Sequence, residues 1–194
     1  MDNTIDIYRA LGPVVAAFEK LRIRNYTGGS VASSLHGANR STMDADLAIE
    51  IDEPTAVQLL QMLETDYYVS ETAVRQAVRQ RSCFNLIHFD TSCKIDLFVS
   101  KDRPFDRSVQ DRAEPITVDE VTSLILRVAT VEDIILLKLE WYRLGNEQSE
   151  RQWDDVTRLA KFHGTRLDRA YLDHWATELA VADLAERLLK QVGP

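Results

Sequence analysis

Basic charge, cysteine, glycine and long apolar runs are all scarce in this chain, and each scarcity excludes something. Lys and Arg number 23 against 31 Asp and Glu, leaving a formal net charge of −8. That balance argues against a broad, nonspecific nucleic-acid footprint, which needs clustered cations. No apolar run approaches the roughly 18 residues of a membrane span. The acidic start, Met1 to Asp6, lacks a basic stretch followed by an apolar core, so a cytoplasmic address is expected. The two cysteines, Cys83 and Cys93, have no His or Cys neighbours at zinc spacing. A hairpin turn at Thr91-Ser92 would set Phe89 against Lys94 and Cys83 against Ser100, too far from Cys93 for a disulfide. Both thiols are therefore read as small packing residues. Of only seven glycines, two are adjacent, Gly28-Gly29.

What is present is a change of pattern along the chain. Apolar residues from Ile5 to Leu21 recur at helical spacing. A strand over 22–27 runs into Gly28-Gly29, and a short helix opens at Ser30. Strands are expected over Leu47–Ile51, Phe84–Phe89, Lys94–Val99 and Val121–Val128, with helices from Pro54 to Leu63 and from Glu71 to Gln80. The polar stretch from Lys101 to Asp119, with its two prolines, reads as loop. From Thr130 onward four helical segments follow, the second ending at Gly164 as a C-cap. The expected fold class is α+β: a mixed β-sheet core with flanking helices over 1–128, and a helical region packed on it over 129–194.

The chemistry concentrates around the glycine pair. Two glycines permit a positive φ and let a phosphate approach with no Cβ in the way. The helix that begins at Ser30 presents unpaired N–H groups and a positive dipole end. Thirteen residues later comes Asp44-Ala45-Asp46. Side chains at i and i+2 of a strand point the same way, about 6–7 Å apart. Leu47, Ile49 and Ile51 form the apolar face, so Asp44, Asp46 and Glu50 lie opposite it. On the later strand Ile95, Leu97 and Val99 share one face and leave Asp96 on the other. Parallel carboxylates repel unless a cation sits between them, and magnesium prefers such oxygen donors. The competing reading is a strand-to-helix turn with a serine cap beside a solvated acidic edge.

Taken together, Gly28-Gly29-Ser30, Asp44-x-Asp46 and the Ile95-Asp96-Leu97 strand resemble the DNA polymerase β-like nucleotidyltransferase superfamily, over roughly residues 22–100. The resemblance implies Gly28, Gly29 and Ser30 as the phosphate cradle, with Asp44, Asp46 and Asp96 as catalytic carboxylates holding Mg²⁺. Two ions are expected, with Mn²⁺ as a substitute. Ala45 departs from the glycine often found between the paired acids. The remainder looks closest to a minimal prokaryotic branch that includes AbiEii-like toxin nucleotidyltransferases. There Lys138, in the helix from Thr130, matches that branch's lysine, and Arg151 with Asp155 matches its Arg-x-x-x-Asp element, although Gln152 replaces the usual acid.

Lys138 is notable without the resemblance. It shares a helical face with Ile134, Ile135, Trp141 and Tyr142, where an ammonium must find an anion or reach water. Arg151 and Asp155 are spaced for an i, i+4 ion pair. Arg40, in the loop before Asp44, is a further candidate for phosphate. Trp141, Tyr142 and Trp153 read as helical core. The four histidines, His36, His88, His163 and His174, share no ligand spacing. The implied activity is transfer of an NMP from an NTP to an acceptor hydroxyl with release of pyrophosphate. The acceptor stays open among a tRNA end, a protein and a small molecule. The alternative is a catalytically inactive nucleotide-binding or partner-binding module, such as half of a toxin–antitoxin pair; an antitoxin or a second copy is the partner considered.

Overall fold

The computed structural model describes residues 3–38 and 43–193. The chain falls into two compact units, residues 1–31 with 41–129, and residues 32–40 with 130–194.

The first unit is built on a seven-stranded sheet. In chain order its elements are α1 (Asn3–Leu21), β1 (Arg24–Thr27), the start of α2 (Gly29–Leu35), β2 (Asp44–Glu50), α3 (Glu53–Leu63), β3 (Tyr67–Tyr68), α4 (Glu71–Gln80), β4 (Cys83–His88), β5 (Lys94–Val99), α5 (Pro104–Arg112), β6 (Glu114–Asp119) and β7 (Leu124–Val128). The strand order is β3-β4-β5-β2-β1-β7-β6. The β2–β5 and β1–β7 pairs are parallel and the others antiparallel.

Period-two alternation decides which face is covered. Ala45, Leu47 and Ile49 of β2, Phe84 and Leu86 of β4, and Ile95, Leu97 and Val99 of β5 are all buried. The apolar faces of α1, α3 and α4 complete this core: Leu11, Val14 and Phe18, then Leu59 and Leu63, then Val74. Tyr67 is buried too, and its hydroxyl donates to the Ala10 carbonyl at 2.6 Å, tying β3 to α1.

Two expectations are corrected here. Residues 101–119 are not a loop but α5 and β6. Pro104 sits in the first turn of α5, where a missing N–H costs nothing. The Asp106 carboxylate accepts from both the Arg103 backbone N–H and its guanidinium, which closes that turn. Pro115 is tolerated because β6 is an edge strand. The β4–β5 hairpin pairs Ile87 with Lys94 and Cys83 with Phe98, a shift of two residues from the expected register. A two-residue shift returns each side chain to the same face.

The described part of the second unit holds α6 (Val131–Leu144), α7 (Glu150–His163), a 3₁₀ turn (Gly164–Arg166), α8 (Arg169–Glu178) and α9 (Ala182–Val192). Thr130, Ser149 and Asp168 cap α6, α7 and α8 by accepting backbone N–H groups. The Asp133 carboxylate is fully buried and accepts the Tyr171 hydroxyl at 2.6 Å and the Thr130 hydroxyl at 2.7 Å. Glu132 accepts the Asp168 backbone N–H at 3.0 Å. These bonds fasten the start of α8 to the start of α6. Trp153 donates to Gln191 at 3.0 Å and lies under the Arg187 guanidinium, 4.2 Å from the ring centre. Tyr142 is buried as expected, but Trp141 is not core: it is 53% exposed. Consecutive residues on a helix lie about 100° apart, and the buried face claims Tyr142.

Tyr171→Phe removes a hydrogen bond to the buried Asp133 carboxylate. The expected cost is about 2 kcal/mol in urea unfolding, within the range for hydrogen bonds to charged groups.

Candidate active site

The open face of the sheet can be followed row by row through the strand register. One row runs Tyr68, Ile87, Lys94, Asp44 across β3, β4, β5 and β2. The next runs Asn85, Asp96, Asp46 across β4, β5 and β2. A third runs Cys83, Phe98, Ala48, Tyr26 across β4, β5, β2 and β1. Neighbouring strands lie about 4.8 Å apart. Asp46 and Asp96 are therefore adjacent across the parallel β2–β5 pair, and Asp44 begins β2 one row away.

The glycine turn docks onto this row. Gly28 N–H donates to the Asp46 carbonyl at 2.8 Å. Gly29 has φ +55°, and a Cβ built on it would fall 1.7 Å from Asp46 Oδ2. Only a residue without a side chain fits against that carboxylate. Gly28 is different: a Cβ there would meet Tyr26 at 3.9 Å and the Asp46 carbonyl at 4.0 Å, which are ordinary contacts. The steric demand for glycine thus lies at the second position. Ser30 follows in the first turn of α2 and is buried.

Lys94 was not singled out from the sequence. Its ammonium lies 2.8 Å from Asp96 Oδ2, with the Asp96 side chain 17% exposed and that of Lys94 40% exposed. The hydrogen bond to Asp96 raises the ammonium's pKa above its ordinary value. The fields of Asp96, Asp44 and Asp46 add to the rise, and burial partly opposes it. The signal was available: Lys94 precedes Asp96 by two residues, so alternation puts both on one face. Cys83 belongs to the same electrostatic neighbourhood. The residue is exposed overall, yet burial of the thiol, followed by the Asp96 and Asp46 charges, pushes its pKa to about 12.

The other predicted residues are placed elsewhere or not described. Arg40 lies outside the described residues. Lys138, Arg151 and Asp155 belong to the helical unit. Lys138 is 7% exposed, and its ammonium lies 2.8 Å from Asp155 Oδ2 and 3.5 Å from Gln152 Oε1. Asp155 thus pairs across α6 and α7 with Lys138 rather than one helical turn back with Arg151, which is exposed. Among the described residues, no three His, Cys, Asp or Glu side chains are grouped as a ready-formed metal site. No helix among them is long and apolar enough to cross a membrane.

Solved structures of nucleotidyltransferases share this fold. No protein family matches the chain, and no curated protein does. The antibiotic-resistance factor ANT(2'')-Ia is similar over 96% of this chain and 99% of its own, at 13% identity and a TM-score of 0.58. An antigenic nucleotidyltransferase-like protein from Paracoccidioides brasiliensis is similar over 94% and 92%, at 17% identity and a TM-score of 0.54. The lincosamide antibiotic adenylyltransferase LnuA is similar over 79% and 96%, at 14% identity and a TM-score of 0.52. Likeness at these identities is likeness of fold. It does not show to which branch the chain belongs.

Three outcomes follow from the geometry. Gly29→Ala must drive the Asp46 side chain aside at a left-handed backbone position, and is expected to destabilise by about 1–2 kcal/mol; Gly28→Ala is expected to cost less, as chemical denaturation will read. Asp155→Ala leaves a buried ammonium unpaired, with an expected loss of about 3–5 kcal/mol. At pH 8 the Cys83 thiol should alkylate more slowly than an ordinary exposed thiol, because less of it is thiolate. Negative neighbours disfavour the thiolate, so Asp96→Asn should lower the pKa and speed iodoacetamide labelling, which mass spectrometry would follow.

Proposed function

We propose that this protein transfers an NMP from an NTP to an acceptor hydroxyl and releases pyrophosphate. One observation carries the reading: Asp96 and Asp46 stand side by side in one row, and the glycine turn closes on that row so tightly that Gly29 has no room for a Cβ. Close approach of backbone to a carboxylate row suits a triphosphate that must lie against both.

The donor set suits magnesium, which takes carboxylate and phosphate oxygens. Asp44, Asp46 and Asp96 would hold it. Bound there, magnesium supplies charge neutralisation at the phosphates and a lowered pKa for the attacking hydroxyl. The chain's own groups do the positioning. The Gly28-Gly29 backbone and the Ser30 hydroxyl cradle the β- and γ-phosphates. Asp96 accepts the proton of the attacking hydroxyl. Rate enhancement comes from orientation and electrostatic preorganisation.

We take the acceptor to be a small hydroxylated molecule. ANT(2'')-Ia has been solved with adenylyl-2''-tobramycin, and LnuA with lincomycin bound. The net charge of −8 also disfavours a long polyanionic acceptor. By the same likeness the donor is ATP.

Melting curves with each NTP, with and without Mg²⁺, test the site. A ligand at about a hundredfold its Kd adds about 2.7 kcal/mol to the native state. The expected result is a Mg²⁺-dependent rise of several degrees with ATP, lost in Asp44→Ala/Asp46→Ala. No rise with any NTP would remove the proposal.

A further inference from the structure

The acid row already has a cation beside it. Lys94 Nζ lies 2.8 Å from Asp96 Oδ2, and in the β2–β5 register Lys94 is the partner of Asp44. Its backbone is held on both sides, paired to β2 and to β4. Its N–H donates to the Met43 carbonyl at 3.1 Å. Only the side chain can move, and at 40% exposure it has open solvent to move into. Four methylenes give the ammonium a long, flexible reach.

Two cations cannot share one carboxylate oxygen at short range without strong mutual repulsion. An ion that took Asp96 as a ligand would meet the ammonium that Asp96 now binds. We infer that Lys94 is the resident counter-ion of the acid row, and that divalent-cation binding is an exchange in which Lys94 releases Asp96. This rests on the reading of Asp44, Asp46 and Asp96 as metal ligands.

The arrangement has two consequences. Without metal, the ammonium offsets the repulsion that adjacent carboxylates would otherwise suffer, so the row is stable before any ion arrives. With metal, part of the binding energy goes into breaking an ion pair. Free metal therefore binds weakly, and the ion enters with the nucleotide, whose phosphates supply further negative charge.

The test is Mn²⁺ binding, measured by electron paramagnetic resonance at pH 8 without nucleotide. Wild type is compared with Lys94→Met, Lys94→Gln and Lys94→Arg, each checked for its fold by circular dichroism. Removing a unit charge beside a divalent ion should tighten Mn²⁺ binding about tenfold in Lys94→Met. Lys94→Gln keeps a donor to Asp96 without the charge and should behave alike, so it carries the test if the methionine variant does not fold. Lys94→Arg should bind as wild type does. The uncharged variants should also melt lower without Mn²⁺ and gain more from it. Equal or weaker Mn²⁺ binding in the uncharged variants, with wild type binding, would overturn the exchange alone. No Mn²⁺ binding by any of the four proteins would overturn the metal reading and the exchange with it.

Discussion

Adjacent carboxylates on neighbouring strands repel, and the pairing of β2 with β5 holds Asp46 and Asp96 together regardless. That pairing is set by the other side of the same strands. Leu47 opposite Leu97 and Ile49 opposite Val99 are buried in the core, and a slip of one residue would turn every one of them into water. The apolar face thus fixes the position of the acids on the open face. The glycine turn depends on the result, since Asp46 as placed leaves no room for a Cβ at Gly29. Core packing and site geometry are two faces of one register.

The helical unit meets the same problem of buried charge differently. Lys138 and Asp155 are both buried, and each is the other's partner. Asp133 is buried too, and it accepts from the hydroxyls of Thr130 and Tyr171. These groups fasten helices to one another. At the sheet, by contrast, Asp44 is exposed and Asp46 and Asp96 are part-buried, so their charge can still meet a ligand. The same residue types serve opposite ends because their surroundings differ: burial makes a paired charge structural, and exposure leaves it able to exchange.

Much of this could be read from local pattern. Alternation in Lys94 to Val99 separates Asp96 from Ile95, Leu97 and Val99, and the same rule sets Asp44 and Asp46 against Leu47 and Ile49. Helix starts at Thr130, Ser149 and Asp168 announce themselves through capping chemistry. The stretch from Lys101 to Asp119 did not, because β6 is a largely exposed edge strand with no apolar alternation and α5 is short and polar. The neighbour relations of β2 with β5 and of β1 with β7 are parallel pairings between distant segments, and nothing local encodes them. The partner of Asp155 escaped for the same reason. Local spacing offers Arg151, whereas the packing of α6 on α7 supplies Lys138. Lys94 was within reach of the alternation rule, but its charge reads as an ordinary solvated strand end until Asp96 is seen beside it.

In the proposed reaction the acceptor attacks the α-phosphate of the NTP, not the γ-phosphate. The direct measurement supplies ATP labelled in either position, with Mg²⁺ and a panel of hydroxylated small molecules. The proposed reaction puts α-label in the acceptor and releases γ-label as pyrophosphate. Label transferred from the γ-position, or γ-label leaving as inorganic phosphate with no labelled acceptor, would contradict it.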